Sequence, residues 1–302
     1  MSIWLKRIWL HRAMYLFLLP AIVFFILFSY IPMTGLILAF KEYRFNGGLY
    51  GGPWVGWKYF ERFFHDSYSM NYIRNTLSIS FFKLFLALPF PILFALQINE
   101  IRSSRMRSLF QGVMYLPHFL SWAVVIGILQ RIIAPETGLL NEWIHALGGH
   151  GSTFFMMDKH YFYPIMFWSY IWKEIGWNSI IYFAAIAGIN PALYEAARMD
   201  GAGRFRQIWH ITLPGIRPTI LILFIMSLSS ILSAGFDQIY LLQNPANAEV
   251  AQILDTYIIH VGIQDAQFGY ATAVGLMQGV IGLLLVVTVN QLCKKWFEVS
   301  LW

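Results

Sequence analysis

The sequence predicts an all-α, polytopic membrane protein with six transmembrane helices, and two observations carry that prediction. Of its 302 residues, 58% are hydrophobic and 12% are charged, and the mean hydropathy is +0.57. Soluble domains carry about 25% charged residues, so this composition excludes an ordinary soluble protein. Apolar runs longer than the roughly 20 residues needed to cross a bilayer recur six times along the chain.

The first apolar run follows a basic start and is too long for the core of a signal peptide, so we interpret it as an uncleaved span. Polar or glycine-rich loops separate the later runs, and one of these loops carries a predicted surface helix over 141–147. The predicted spans cover 14–40, 72–98, 108–132, 161–189, 219–240 and 268–292.

The basic residues predict the orientation of these spans. Six crossings return both termini to one side, and with that side inside, twelve of the 21 Lys and Arg residues are cytoplasmic and seven lie in or beside external loops. This bias favours cytoplasmic termini. The net charge of +6 is scattered along the chain and forms no basic stripe, so no nucleic-acid partner is predicted.

The polar segment 190–218 lies between the fourth and fifth runs and has a design of its own. Asn190 and Pro191 predict the start of a short helix, and Gly201 and Gly203 predict its end because glycine accepts positive φ. A second short helix is predicted up to Pro214, with one apolar face formed by Phe205, Ile208, Trp209 and Thr212. The result is a helix–turn–helix that projects from the membrane and suits a groove on another protein.

This segment resembles the EAA loop of permease subunits in binding-protein-dependent ABC importers. The matching residues are Glu195-Ala196-Ala197, Asp200-Gly201-Ala202-Gly203, Ile211, Pro214 and Pro218. Within that family the chain looks most like the carbohydrate-uptake permeases, through Trp172-Lys173-x-x-Gly176, Tyr115-Leu116-Pro117 and Phe236-Asp237. The resemblance extends over most of the chain and implies the type I importer fold.

The resemblance also implies a domain organisation. Residues 1–71 form an accessory transmembrane helix and an external loop, 72–292 form the transmembrane core with the coupling loop 190–218, and 293–302 form a cytoplasmic tail. The loop from Glu195 to Pro218 is then expected to dock on a cytoplasmic ATPase. The residues expected to carry this coupling are Glu195, Ala196, Ala197, Asp200, Gly201, Gly203 and Pro214. An amphipathic helix that merely lies on the membrane is the alternative.

The energy source is expected on another chain. Gly201-Ala202-Gly203 lacks the lysine and hydroxyl of a phosphate-binding loop, and no other segment supplies one. The resemblance implies two ATPase subunits that hold ATP and magnesium, a second and related permease as heterodimer partner, and an extracytoplasmic solute-binding protein. It also implies an oligosaccharide substrate and the lipid of a bacterial inner or plasma membrane. No enzyme activity, cofactor or metal is expected in this chain; His145 and His150 lack a carboxylate partner.

Ionisable residues inside predicted spans are the best sequence signal for the cargo, because such groups usually face a bundle interior or a watery cavity. Lys83 and the pair Lys173-Glu174 are predicted near the midplane, and two lysines facing the pathway would favour an anionic cargo such as a uronate oligosaccharide. The candidate pathway residues are Lys83, Trp122, Trp172, Lys173, Glu174, Asn178, Phe236 and Asp237, with Trp177 as a further stacking candidate. The alternatives are structural ties for the charges and interfacial belts for the aromatic residues.

A secondary transporter driven by an ion gradient stays open as the main alternative. Such transporters often show inverted repeats and broken spans, and the sequence shows neither. A membrane-embedded enzyme would need a convergent catalytic set, which is also missing from the sequence.

Overall fold

The computed structural model describes residues 12–149, 152–228, 232 and 234–297, which form helices joined by loops. Within these residues, four continuous helices are long and apolar enough to cross a membrane: Arg12–Phe40, Ser69–Asn99, Arg204–Leu228 and Phe268–Trp296. Two bent pairs pass the same test: Ser104–Phe119 with Trp122–Ile132, bent by 99°, and Lys159–Ala187 with Pro191–Met199, bent by 69°. If each bent pair is one span, the spans number six, as the sequence predicts.

The helices follow one another with few long loops. They are α1 (Arg12–Phe25), α2 (Lys58–His65), α3 (Ser69–Ala87), α4 (Pro89–Asn99), α5 (Ser104–Tyr115), α6 (Trp122–Ile132), α7 (Leu139–Ala146), α8 (Phe162–Ala187), α9 (Pro191–Met199), α10 (Arg204–Gln207), α11 (Leu213–Leu228), α12 (Phe236–Leu242), α13 (Ala248–Ala251), α14 (Leu254–Ile259) and α15 (Phe268–Phe297). π- and 3₁₀-helical turns extend α1 to Phe40, and a 3₁₀ turn, Leu116–Phe119, follows α5. The predicted surface helix over 141–147 is confirmed as α7.

The chain divides into two compact units. The smaller comprises the described residues of Met1–Asp66 and Ile258–Met277. In it, the Arg62 guanidinium lies 4.3 Å from the centre of the Tyr270 ring and donates a hydrogen bond of 2.8 Å to Gln267 Oε1. Not one residue of α1 is buried. An apolar helix exposed on all sides is what a span surrounded by lipid or by another membrane protein presents.

The larger unit comprises the described residues of Ser67–Tyr257 and Gln278–Trp302, and α8 is its central helix. α8 packs against α3, α4, α5 and α11. One buried cluster contains Ile79, Met166 and Ile239, and a second contains Ala95, Ile186 and Ile216. Van der Waals packing of this kind holds transmembrane helices together, because lipid tails are as apolar as the side chains.

At Gly176, α8 lies directly against α5. A Cβ at position 176 would collide with the backbone carbonyl of Met114, whereas a Cβ at Gly112, earlier on α5, would meet nothing within 4 Å. We therefore expect Gly176→Ala to destabilise the protein by roughly 1–3 kcal/mol through overpacking, seen as a lower temperature of thermal unfolding in detergent. Gly112→Ala is the matched control, and equal midpoints for both variants would contradict this packing.

The predicted fifth span, 219–240, is wrong at both ends. The second helix of the polar segment does not stop at Pro214: it is continuous from Arg204 to Leu228. A π-helical segment, Ile208–Thr212, lies directly before Pro214. The wider turn relieves the clash between a proline ring and the preceding turn, so the helix passes through the proline.

α11 is described as far as Leu228, and α12 begins at Phe236. Ala234 and Gly235, at that junction, have φ of 47° and 77°. Together with the 99° bend in the third span, this shows that the expected absence of broken spans is wrong. The absence of broken spans can therefore no longer be used as an argument against a secondary transporter.

Candidate functional site

The first candidate site is the polar segment around α9, and its local structure follows from its sequence. Asn190 Oδ1 accepts a hydrogen bond of 3.0 Å from the Ala192 N–H at the start of α9. At the other end the Gly201 N–H donates to the Arg198 carbonyl (3.0 Å) and the Ala202 N–H donates to the Ala197 carbonyl (2.8 Å). This pair of bonds is a Schellman motif, and it requires the left-handed φ of 73° at Gly201.

Gly201 thus makes the predicted turn, but Gly203 does not share that role. Gly203 has φ of −67° and ψ of 166°, which any residue adopts, and it precedes the first turn of α10. The expectation that both glycines supply positive φ is therefore wrong for Gly203.

Side-chain contacts hold the turn against the membrane helices. The Tyr194 hydroxyl lies 2.9 Å from Thr212 Oγ1, and Gln207 Nε2 donates to the Ala202 carbonyl at 2.7 Å. An ion pair of 3.3 Å joins Arg204 to Glu100, at the end of α4. The turn is therefore anchored to the bundle on two sides.

Four large apolar side chains on this segment point away from the protein. Their exposed fractions are 52% for Leu193, 88% for Met199, 75% for Phe205 and 56% for Trp209. We call these four residues the loop patch. The predicted apolar face is only half right, because Thr212 is buried and Ile208 packs against the inner cluster. Leu193 and Met199 were missed, since the sequence does not show which way α9 turns.

The predicted coupling residues surround the loop patch. Glu195, Ala196, Asp200, Gly201, Gly203 and Pro214 are exposed, and Ala197 is half-buried. Glu195 also lines a cavity of about 750 Å³ beside the end of α4, together with Glu100, Arg107, Arg198 and Arg204. The segment therefore offers an apolar contact surface with charged residues at its edge.

The second candidate site is a cavity of about 580 Å³ inside the larger unit, which we call the pathway cavity. It is bounded by α3, α4, α8, α11 and the junction before α12. Its polar and aromatic lining residues are Ser80, Lys83, Tyr170, Trp177, Asn178, Tyr182 and Ser227. The Lys83 ammonium donates a hydrogen bond of 2.9 Å to the Ala234 carbonyl and lies 5.1 Å from the centre of the Tyr170 ring.

Lys173 and Glu174 form a separate charged cluster with His118. Lys173 Nζ lies 3.1 Å from Glu174 Oε1 and donates to the His118 carbonyl at 2.7 Å. Glu174 Oε2 accepts a hydrogen bond of 2.7 Å from His118 Nδ1, and the His118 ring stacks on Trp177 with 4.4 Å between centroids. Only 5% of Lys173 is exposed. These contacts tie α8 to the turn that precedes the bend in the third span. They fit the alternative that this charged pair holds helices together and does not line the pathway.

The remaining predicted pathway residues lie outside the pathway cavity. The Trp122 ring is 5.3 Å from Lys173 Nζ and packs on the core. Trp172 is exposed on α8, Phe236 stacks on Tyr240 at 5.2 Å, and Asp237 is exposed in the first turn of α12.

Of the eight predicted residues, then, Lys83 and Asn178 line the pathway cavity. Sequence reasoning missed Tyr170, although it lies seven residues before Trp177 and so on the same face of α8. That spacing is the signal that could have found it.

Comparison with known proteins adds to this geometry. Residues 87–297 match the family described as "Binding-protein-dependent transport system inner membrane component". The chain is 42% identical to the polygalacturonan/rhamnogalacturonan transport system permease protein YteP of Bacillus subtilis, over 95% of this chain and 89% of that protein. It is 40% identical to Protein LplB of the same organism, over 99% and 93%. A crystal structure of a bacterial ABC transporter involved in the import of the acidic polysaccharide alginate has a chain with a TM-score of 0.90 and 39% identity, covering 98% of this chain and 99% of that one.

Proposed function

Because the chain belongs to the family of binding-protein-dependent transport system inner membrane components, we propose that it forms half of the transmembrane pathway through which an ABC importer takes up acidic, uronate-containing oligosaccharides. Membership makes the chain a membrane-bound permease subunit and not an enzyme. The proposal therefore concerns the cargo, the partners and the means of coupling.

The proposed cargo is inferred from the agreement of two relatives that align with nearly the whole chain. One is named for polygalacturonan and rhamnogalacturonan, and the other belongs to an importer of the acidic polysaccharide alginate. Identities of 42% and 39% extend over the helices that line the pathway cavity. The lining supports the same reading, since aromatic rings suit the C–H faces of sugars and an amide suits their hydroxyls.

The loop patch supports coupling to a separate ATPase. Its apolar side chains are exposed on a rigidly anchored turn, and the basic residues of the sequence favour a cytoplasmic position for it. We infer that one of two ATPase subunits, which hold ATP and magnesium, docks here. Their closure on ATP would shift the two permeases from an inward-facing to an outward-facing state, because ATP contacts the two states differently.

The remaining partners follow from the same membership. A related crystal structure contains a periplasmic protein bound to an alginate pentasaccharide, and we propose that an extracytoplasmic binding protein delivers the oligosaccharide to the outer loops of this chain. A second, related permease would complete the pathway. Both termini would then lie in the cytoplasm of a bacterium.

Uptake into proteoliposomes tests this function. The chain is co-expressed and purified with its partner permease and ATPase, and labelled trigalacturonate is supplied on the outside with the binding protein. We expect uptake to require MgATP inside the vesicle and to be insensitive to protonophores. Uptake that follows an imposed proton or sodium gradient without ATP would favour the secondary transporter instead.

A further inference from the structure

We propose that Lys83 is the residue through which the pathway selects anionic sugars: its ammonium binds a uronate carboxylate of the oligosaccharide as that group passes through the pathway cavity. This inference rests on the proposed function and names the residue that sets its charge specificity. It also assigns Lys83 a different role from that of Lys173, although the sequence predicts a similar depth in the membrane for both.

The charges around the pathway cavity do not balance. The positive charge of Lys173 is compensated by Glu174, whose carboxylate lies 3.1 Å away and also binds His118. Among the residues that the structure describes, Lys83 has no carboxylate within 4.0 Å, and the described lining of the cavity includes no Asp or Glu. Among the described residues, Glu174 acts on Lys83 only from a distance, and no carboxylate contacts the Lys83 ammonium at the cavity wall.

An uncompensated cation inside a membrane protein is costly, because the surroundings replace little of its hydration. Lys173 shows how this chain arranges a lysine that ties helices together: a carboxylate, a carbonyl and an aromatic ring surround its ammonium. Lys83 has the carbonyl and the ring but lacks the carboxylate. The missing anion is the group that a uronate would supply.

The break in the fifth span positions the ammonium at the cavity wall. Ala234 and Gly235 both have left-handed φ, and the Ala234 carbonyl accepts the one hydrogen bond that Lys83 makes among the described residues. A Cβ at position 235 would lie 2.5 Å from Lys83 Nζ, so the flexible lysine side chain would have to move aside. An ammonium has three N–H donors, and among the described residues only Ala234 accepts from Lys83, so two donors face the cavity without a described acceptor, where a carboxylate would bind.

Selectivity of uptake tests the role of Lys83. The substrates are trigalacturonate and the same trisaccharide with all of its carboxylates methyl-esterified, supplied in the proteoliposome assay with one binding protein. The selectivity of that binding protein cancels when each variant is compared with the parent chain. A hydrogen bond to a charged group contributes about 1.5–3 kcal/mol, so we expect Lys83→Met to lower the acid-to-ester uptake ratio about tenfold or more and Lys83→Arg to retain most of it.

Two further variants keep the outcome interpretable. Gly235→Ala retains the charge but displaces the ammonium, so the ratio should fall to an intermediate value. Lys173→Met should lower the uptake of both substrates and leave the ratio unchanged. A ratio that Lys83→Met leaves unchanged would overturn the role of Lys83 while the proposed function stands. If the parent complex imports neither substrate, the proposed function fails, and the role of Lys83 fails with it.

Discussion

Replacing Met199 with aspartate is expected to reduce ATP-driven uptake about tenfold or more while the amount of chain in the membrane stays unchanged. Met199 is the most exposed member of the loop patch and contacts little of its own chain. Loss of a central apolar anchor from a protein interface costs about 2 kcal/mol or more, a factor of roughly 30 in affinity. A buried, unpaired carboxylate adds to that cost. Uptake and ATPase activity are measured on the same preparation.

Leu147 provides the matched control for this substitution. It is 89% exposed, against 88% for Met199, and lies just after α7 on what the sequence predicts to be the external side. Leu147→Asp makes the same chemical change and should leave ATPase coupling intact. If Met199→Asp transports normally, or if both variants lose uptake equally, the loop patch is not the ATPase contact and the helix that merely lies on the membrane becomes the better description.

Replacing Lys173 with methionine is expected to have the largest effect on stability. The substitution leaves the half-buried Glu174 beside His118 without its cation, and removing one partner of a buried ion pair costs up to about 3–5 kcal/mol. Thermal unfolding of the purified complex in detergent should show a clear fall in the midpoint. The double variant Lys173→Met with Glu174→Gln removes both charges and should recover part of the loss.

Replacing Lys173 with alanine separates two explanations of this residue. If this lysine faced the pathway, as the sequence alone allows, Lys173→Ala would weaken the uptake of acidic oligosaccharides more than that of neutral ones. The contacts with Glu174 and His118 predict instead an equal loss for both cargoes. A selective loss of acidic cargo, with an unchanged unfolding midpoint, would contradict the structural tie.

The sequence predicts best what neighbouring residues decide. Asn190 and Pro191 start α9 and Gly201 ends it, because a helix cap and a left-handed turn depend only on adjacent residues. The number of spans follows in the same way from the length of the apolar runs.

The sequence does not predict features that depend on how distant segments pack together. The rule that a proline ends a helix is local, whereas the chain runs through Pro214 after a π-helical segment whose last residue, Thr212, contacts Tyr194. The sequence predicts a similar depth in the membrane for Lys83 and Lys173. Only the packed structure shows that Lys83 lies at the cavity and that Lys173 lies against the turn before the bend in the third span. His118, which binds Glu174 from the turn before α6, is 56 residues away in the sequence, so no local pattern could identify this contact.

Site-specific cross-linking from the loop patch tests the central claim most directly. Cys293 is the one cysteine of the sequence and is buried, so Met199→Cys in a Cys293→Ser background offers a single accessible thiol. We predict that this thiol forms a cross-linked product with the ATPase, that the yield changes when ATP is added, and that Leu147→Cys forms none. A chain that purifies without an ATPase and gives no product from position 199 would contradict coupling through this loop.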